Sequence, residues 1–380
     1  MRTTVPTRFW LQHLLTIAGL TVAALAVPIS SAVAEPIDVS VGDGFACTMI
    51  QSPTSLSTAP LCWGSNANGQ FSGANRDWNV LRPSPLHDIR ALTSPNQISV
   101  GMEHWCVVAL GRSGYGCMGS SSFGQTGRSF PDYNVPFAGF SQVSAGGFHT
   151  CAVTSDGTPW CWGRNDSGQL GTGGTATSNN SPTKLGGLTS VTQISAGGFH
   201  TCAIAHGGAW CWGANNLLQS VPRASRDANT STERAITTPT RVADADGAVE
   251  VAAGGNHTCA RWANGAVRCW GYNDRGQLGS GGLGGNIIRG REITPVALPA
   301  PATAISAGDK HTCAILVTTE VYCWGWNSTG QLGNGRGGGT EYDGVPQRVG
   351  NLRMITKIDA GWGAVCALSK FGGALVLGAR

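Results

Sequence analysis

Charge is what this chain has least of. Only 12% of its 380 residues are Asp, Glu, Lys or Arg, and neither sign gathers into a long run. That excludes a clustered basic face, the footprint of nucleic-acid binding. Long hydrophobic runs are missing beyond Val27. A membrane-spanning helix needs ~20 consecutive apolar residues, so none is expected. No two cysteines stand at C-x-x-C spacing, which argues against zinc. The H-E-x-x-H, G-x-S-x-G and phosphate-loop patterns are all absent, and no cofactor is expected. Apolar residues at i, i+3, i+4 and i+7 are missing too, which removes an all-helical repeat.

What is present is repetition. The stretch Ala145–Gly171, A-G-G-F-H-T-C-A-V-T-S-D-G-T-P-W-C-W-G-R-N-D-S-G-Q-L-G, returns at Ala196–Ser220, Ala253–Gly279 and Ala307–Gly333. Weaker copies occupy Val41–Ser72 and Val100–Gly127, and a clipped one Ala360–Arg380. The leading cysteines (Cys47, Cys106, Cys151, Cys202, Cys259, Cys313, Cys366) are spaced 59, 45, 51, 57, 54 and 53 residues apart. A period of this size marks one supersecondary unit whose core exists only when neighbours stack.

Each copy offers short β-type runs cut by Gly, Asn and Asp. In the third copy they are Ser141–Ala145, His149–Thr154 and Thr158–Arg164. A fourth, weaker run starts at a proline, as in Pro182–Leu185, Pro239–Val242, Pro295–Leu298 and Pro346–Val349. Proline suits an edge strand because it lacks a donor. Four short antiparallel strands with the edge outermost describe a propeller blade, and an open β-solenoid has shorter coils. The fold class is therefore all-β, a seven-bladed propeller over residues 35–380. Blade seven stops after Leu377-Gly378 and is expected to be incomplete. The ring then closes either on a three-stranded blade or with help from Glu35–Val39.

These residues resemble the regulator of chromosome condensation repeat family. Its marks are a Gly-x-His-(Ser/Thr) entrance, a D-G turn, a W-G exit and a G-Q-L-G close. Here they read Gly147-Phe148-His149-Thr150, Asp156-Gly157, Trp162-Gly163 and Gly168-Gln169-Leu170-Gly171. The resemblance spans roughly Ile37 to Arg380 and implies a seven-bladed propeller. Departures occur: Phe45 and Ala364 replace the histidine, and Leu218-Gln219-Ser220 replaces G-Q-L-G in blade four.

Residues 1–34 read as a secretory signal peptide. Arg2 and Arg8 precede an apolar run from Leu14 to Val27, and Ala32-Val33-Ala34 supplies a small-residue cleavage site. Losing those two arginines takes the formal charge from +4 to +2. The expected product is secreted, extracellular or periplasmic, and monomeric.

Twelve cysteines fall into six pairs within blades: Cys47/Cys62, Cys106/Cys117, Cys151/Cys161, Cys202/Cys211, Cys259/Cys269 and Cys313/Cys323. In blade three the turn Ser155-Asp156-Gly157 sets Cys151 opposite Cys161. In blade four the pair is one residue closer and the turn shrinks to His206-Gly207, so opposition survives. Opposed strand positions lie ~4.5 Å apart at Cα, within disulfide reach. Six cross-strand disulfides are expected, in keeping with export. Cys366 faces Val376 and should stay a buried thiol.

Five histidines share one repeat position (His104, His149, His200, His257, His311), too far apart to bind one metal. They read as structural hydrogen-bonding groups, the C-W-G tryptophans as inter-blade filling, and the repeated glutamine as a loop fastener. Asp244-Ala245-Asp246-Gly247 reads as a turn, because it lacks the later ligands of a calcium loop.

The residue before each repeat histidine varies while its neighbours do not: Gly44, Glu103, Phe148, Phe199, Asn256, Lys310, Gly363. These positions should share one face near the axis. An exported β-lactamase inhibitory protein of the same repeat family grips its enzyme with aromatic residues on that loop. The resemblance implies that Phe148 and Phe199 are adjacent-blade anchors, joined by Trp105 and Trp362, while Glu103, Asn256 and Lys310 complete the candidate binding set from the variable positions. Three long insertions, Ser65–Asn96, Ala214–Thr238 and Gly281–Glu292, are a second candidate surface.

The resulting expectation is a non-catalytic propeller that binds an extracellular protein, in a narrower form an enzyme inhibitor. A propeller lyase or glycosidase would need paired carboxylates in the funnel, and Glu103 is the only acid among the seven positions. Guanine-nucleotide exchange, the activity of the family's nuclear member, rests on fold analogy alone.

Overall fold

The computed structural model describes residues 35–52, 58–71, 79–85, 95–109, 114–127, 139–222, 235–281, 290–337, 341–350 and 352–378. The proposed signal peptide lies outside them, as do most residues of the three long insertions. The described residues form seven antiparallel sheets in chain order around one axis. Five blades have four strands. Blade seven has three, Ile355–Ala360, Val365–Ser369 and Ala374–Leu377. Blade two shows three, and residues 128–138, where a fourth would fall, are not described.

Blade three shows how sequence makes a blade. Its inner strand, Phe140–Ala145, has an exposed Ser141 but buries Val143 and Ala145, and the next strand, His149–Thr154, is buried at every position. A strand buried on both faces must be covered on both faces, which requires a neighbouring blade on each side. The hairpin into Pro159–Arg164 turns at Gly157, whose φ of 80° is left-handed. In blade four the two-residue turn uses His206 at φ 50° and Gly207 at φ 74°, the pair of left-handed residues that a type I′ hairpin needs.

The outermost strands differ from the sequence expectation. Blade three's runs Ser178–Lys184, so it starts four residues before Pro182. Cys161 pairs with Thr183 and Gly163 with Asn179, leaving three residues of the outer strand opposite one. Pro182 sits in that bulge, where no ladder donor is required. The same shift places Pro239 and Pro346 in bulges. Blade five departs: its strand, Gly290–Pro295, ends on the proline, which pairs with Arg268. The Asp244–Gly247 stretch closes the outer strand of blade four and enters blade five as a turn, with Arg241 bound to Asp246 Oδ1 at 3.0 Å.

Glu35–Val41 is the innermost strand of blade one, paired with Phe45–Gln51. It does not supply a fourth strand to blade seven. The ring closes instead through polar contacts between blades seven and one. Asp359 Oδ2 accepts from Val41 N and Ser40 Oγ, both at 2.8 Å, and Lys357 pairs with Asp38.

All six cysteine pairs expected from the sequence are joined. Cys47 is bonded to Cys62 in blade one, Cys106 to Cys117 in blade two and Cys151 to Cys161 in blade three. Cys202 is bonded to Cys211 in blade four, Cys259 to Cys269 in blade five and Cys313 to Cys323 in blade six. Each bond joins directly opposed residues of adjacent strands. One detail differs from expectation. The Cα–Cα separations are 4.0 to 4.1 Å, shorter than the ~4.5 Å of opposed positions without a covalent link.

Cys366 faces Val376 and is a buried thiol whose pKa burial pushes far up. Thiol titration of the denatured, unreduced protein should therefore give one cysteine, rising to 13 after reduction. A count of several before reduction would remove the cross-links.

The repeat histidines tie blades together. Nε2 of His104, His149, His200 and His257 lies 2.8 Å from Oγ1 of the next blade's Thr150, Thr201, Thr258 and Thr312. Each threonine hydroxyl donates to the carbonyl of a repeat glutamine: Gln125, Gln169, Gln219 and Gln277. The hydroxyl proton is thus committed, so Nε2 must carry the imidazole proton. Blade seven has Val365 in the threonine position, and His311 has no such partner.

Burial lowers the pKa of the first four histidines to about 3 and of His311 to about 4. The unfolded chain binds these protons near the ordinary value and the fold excludes them. Their contribution is complete above pH ~6.5 and is lost as pH falls toward the folded values, by about 1.4 kcal/mol per pH unit for each histidine. Burial raises Asp309 and Asp359, which act in the opposite sense, two groups against five. The denaturant midpoint should fall steeply between pH 6 and 4, and a flat profile there would contradict buried neutral imidazoles.

Candidate functional site

At one end of the ring, each inner strand turns into the next through a short loop: Gly146-Gly147-Phe148 in blade three, Gly197-Gly198-Phe199 in blade four. These loops are linked head to tail. Met102 N donates to Gly146 O at 3.2 Å, Gly147 N to Gly197 O at 3.0 Å, and Gly198 N to Gly254 O at 3.0 Å. Gly255 N to Gly308 O (3.0 Å), Asp309 N to Gly361 O (3.1 Å) and Trp362 N to Gly42 O (3.3 Å) continue the circle. The backbone thus forms a belt around the channel mouth, and the variable residue of each loop stands on its rim. Below it lies a cavity of about 330 Å³ lined by the inner strands of all seven blades.

The wall of that channel is built from side chains that complete the neighbouring blade's backbone. Gln97 accepts from Val143 N at 2.9 Å and donates to Val143 O at 3.1 Å. Gln142 treats Ile194 the same way, and Gln193 treats Val251. Two residues further along the strand, Ser99, Ser144, Ser195 and Ser306 accept from Ala145, Ala196, Ala253 and Ala360 N at 2.9 to 3.0 Å. These amides and hydroxyls are spent on structure.

Of the sequence-predicted site residues, the structure places Glu103, Phe148, Phe199, Asn256, Lys310 and Trp362 on the rim, each half-buried. Trp105 is a correction. It is fully buried, packs with Phe45, Phe71 and Val107, and donates from Nε1 to Gln70 O at 2.6 Å. It holds the strand position that threonine holds in other blades, so it points between sheets and cannot meet a partner. The disulfide cysteines stand apart from the rim as well. Cys62, Cys117, Cys161, Cys211, Cys269 and Cys323 lie on the third strands and are buried with their partners Cys47, Cys106, Cys151, Cys202, Cys259 and Cys313. They hold strands together and offer no surface to a ligand.

Trp162, Trp212, Trp270 and Trp324 fill the inter-blade space without exposure, as expected. Trp63 is only partly buried. Trp212 and Trp324 are capped by the preceding blade's glutamine turn, donating to Gln169 O and Gln277 O at 2.9 Å. Blade seven shows no such turn among the described residues.

Phe148 and Phe199 come together, with ring centroids 6.0 Å apart. Two partners went unread in the sequence. Phe123, from blade two's glutamine turn, packs edge-on to Phe148 at 5.6 Å. Arg164 places its guanidinium carbon 4.8 Å from Phe123, 5.4 Å from Phe148 and 5.1 Å from Phe199. Asp166 holds the arginine in place at 2.5 Å. A cation against three ring faces gains from each quadrupole and fixes the aromatic surface. The repeat glutamine also has two roles. Its Oε1 accepts from the backbone two residues earlier, as Gln125 does from Phe123 N at 2.9 Å, which sets the angle at which Phe123 returns to the rim.

Residues 115–380 match the RCC1-like domain. The chain belongs to that family. It is 28% identical over 328 residues to the ultraviolet-B receptor UVR8 of Arabidopsis thaliana, covering 81% of this chain and 70% of the receptor. It spans only 18% of a longer human relative, the probable E3 ubiquitin-protein ligase HERC3. Among solved structures it is similar to human WBSCR16, with a TM-score of 0.73 at 25% identity over 87% of this chain and 85% of that one. It also shares the fold of Prp20p from Saccharomyces cerevisiae, with a TM-score of 0.71 at 19% identity over 91% and 81%; that structure is described together with binding to Gsp1p and histones. RCC1-like propellers of this kind are binding and regulatory domains. Among the described residues no helix is long and apolar enough to cross a membrane.

The belt makes a sharp prediction. A Cβ on Gly198 would stand 2.6 Å from Gly255 O, a backbone atom that cannot move without opening the belt. Gly363, on the rim itself, has nothing within 4 Å. Gly198→Ala should cost ~1–3 kcal/mol and Gly363→Ala less than ~0.5 kcal/mol. Equal denaturation midpoints for the two variants would show that the belt carries no stability.

Proposed function

We propose that this chain is a secreted, non-catalytic propeller that binds a protein partner through the rim of its channel mouth. The observation that carries the reading is the aromatic cluster of Phe123, Phe148 and Phe199 around Arg164. Such a group is large, rigid and half-exposed, the character of an interface anchor, and Arg and aromatic residues dominate binding hot spots. Family membership supports protein binding as the mode of action. Six disulfides support an oxidising compartment, in keeping with the signal-like segment at residues 1–34. Inhibition of an extracellular enzyme is the narrower form of the same reading. Nucleotide exchange stays with the intracellular proteins in which a GTPase partner is met.

The test is capture of partners from the host's culture fluid with the wild-type chain and with Phe148→Ala/Phe199→Ala. Removing a hot-spot pair costs ~2 kcal/mol or more, so capture by the double variant should fall about 30-fold. Its disulfides and denaturation midpoint should stay close to wild type, since both rings are half-exposed. Undiminished capture by a folded double variant would exclude the rim.

A further inference from the structure

The rim is chemically lopsided. Blades two to four contribute the aromatic cluster. Blades six, seven and one contribute Asp309, Trp362 and Asp43 at one repeat position, and the first two line the cavity as well. The belt holds these loops in sequence, through Asp309 N to Gly361 O and Trp362 N to Gly42 O. The next residue outward is glycine in blades seven and one, Gly363 and Gly44, so no side chain rises over the indole there. Asp309 is half-buried, and its carboxyl leans over Gly255, where a Cβ would stand 2.1 Å from Oδ1.

Charge is acidic on balance around the whole rim, and Asp309 and Asp43 flank the indole. Among the described residues of the rim, Glu103, Asp166 and Asp274 add three carboxylates to the two already named, against three cations. Two of the cations serve rim carboxylates: Arg164 pairs with Asp166 at 2.5 Å and Arg275 with Asp274 at 3.6 Å. Lys310 leans over the ring of Trp326 at 6.0 Å. The mouth therefore carries net negative charge beside an apolar wall, which focuses the field on an approaching cation. An indole next to carboxylates is a surface on which an ammonium or guanidinium gains from both. Burial pushes Asp309 up to about 6 against the pull of the adjacent Lys310, and Asp274 and Asp43 add to the rise; a further cation would relieve that cost.

The geometry points to a partner that presents a basic side chain to the Asp309–Trp362–Asp43 arc while an adjacent apolar residue rests on Phe148 and Phe199. This rests on the rim-binding reading and names the chemistry of its partner: a basic loop with an apolar tip. An acidic loop would meet like charge over half the rim and is selected against.

Three capped synthetic peptides test it. Each carries one phenylalanine, followed by two lysines, two glutamates or two serines, and binding is measured by calorimetry at low salt with the full chain. The lysine peptide should bind at least tenfold more tightly than the glutamate peptide, with serine between. Asp43→Asn/Asp309→Asn should erase that preference while leaving the serine peptide's affinity unchanged. Phe148→Ala/Phe199→Ala should weaken all three about equally. Equal affinities for lysine and glutamate peptides, tighter binding of the glutamate peptide, or no binding of any peptide would overturn the basic-loop assignment. If the phenylalanine variant leaves every affinity unchanged, the rim reading itself fails, separately from the charge preference.

Discussion

The fold depends on each blade completing the hydrogen bonds of the next. A four-stranded sheet alone leaves its inner edge unpaired, and buried backbone groups without partners are costly. Here the inner edge is served by side chains from the preceding blade, glutamines that imitate a strand's donor and acceptor and then serines, while the histidine–threonine–carbonyl relay ties the second strands of neighbouring blades. Every link needs both blades. The repeat therefore has no stable existence in isolation, and the ring is the smallest unit that satisfies all its groups.

Where the circle must close, the repeat gives way to charge. Asp359 takes the serine position and binds both Ser40 and Val41, while Lys357 and Asp38 replace the glutamine contact. Blades one and seven are distant in sequence and are not joined by a shared sheet, so stronger, charge-assisted bonds stand at that seam. Blade seven has Val365 in the threonine position, which leaves His311 without its relay, and among the described residues it shows no glutamine turn over Trp63, which is partly uncovered.

The same regularity explains where function can reside. Positions that serve the lattice are fixed, whereas the rim residues project from a belt held by backbone bonds alone. Side chains can vary there without disturbing the fold. Phe148, Asn256 and Lys310 differ in size and charge, although their loops repeat one geometry. Specificity can change on such a rim while stability does not, which suits a scaffold found in proteins as different as an ultraviolet-B receptor and a ligase.

Much of this was legible before any coordinates. The period gave the blades and alternation gave the opposed cysteines, from Cys47 and Cys62 to Cys313 and Cys323. The variable residue before each histidine gave the rim. Each follows from local spacing. Other features were not legible. Pro182 looks like a strand start, but the bulge opposite Trp162 depends on how the outer strand registers against its neighbour. Trp105 looks like a rim aromatic, but its side chain alternates inward. Phe123 and Arg164 belong to different repeats, and nothing in one repeat says which side chains of another will reach it. The sequence by itself determined the repeating unit, its cross-links and the set of positions that face the channel mouth. Only the tertiary structure decided which of those residues touch. Ring closure brings distant repeats within a few ångströms, and that proximity is a property of the circle rather than of any segment in it.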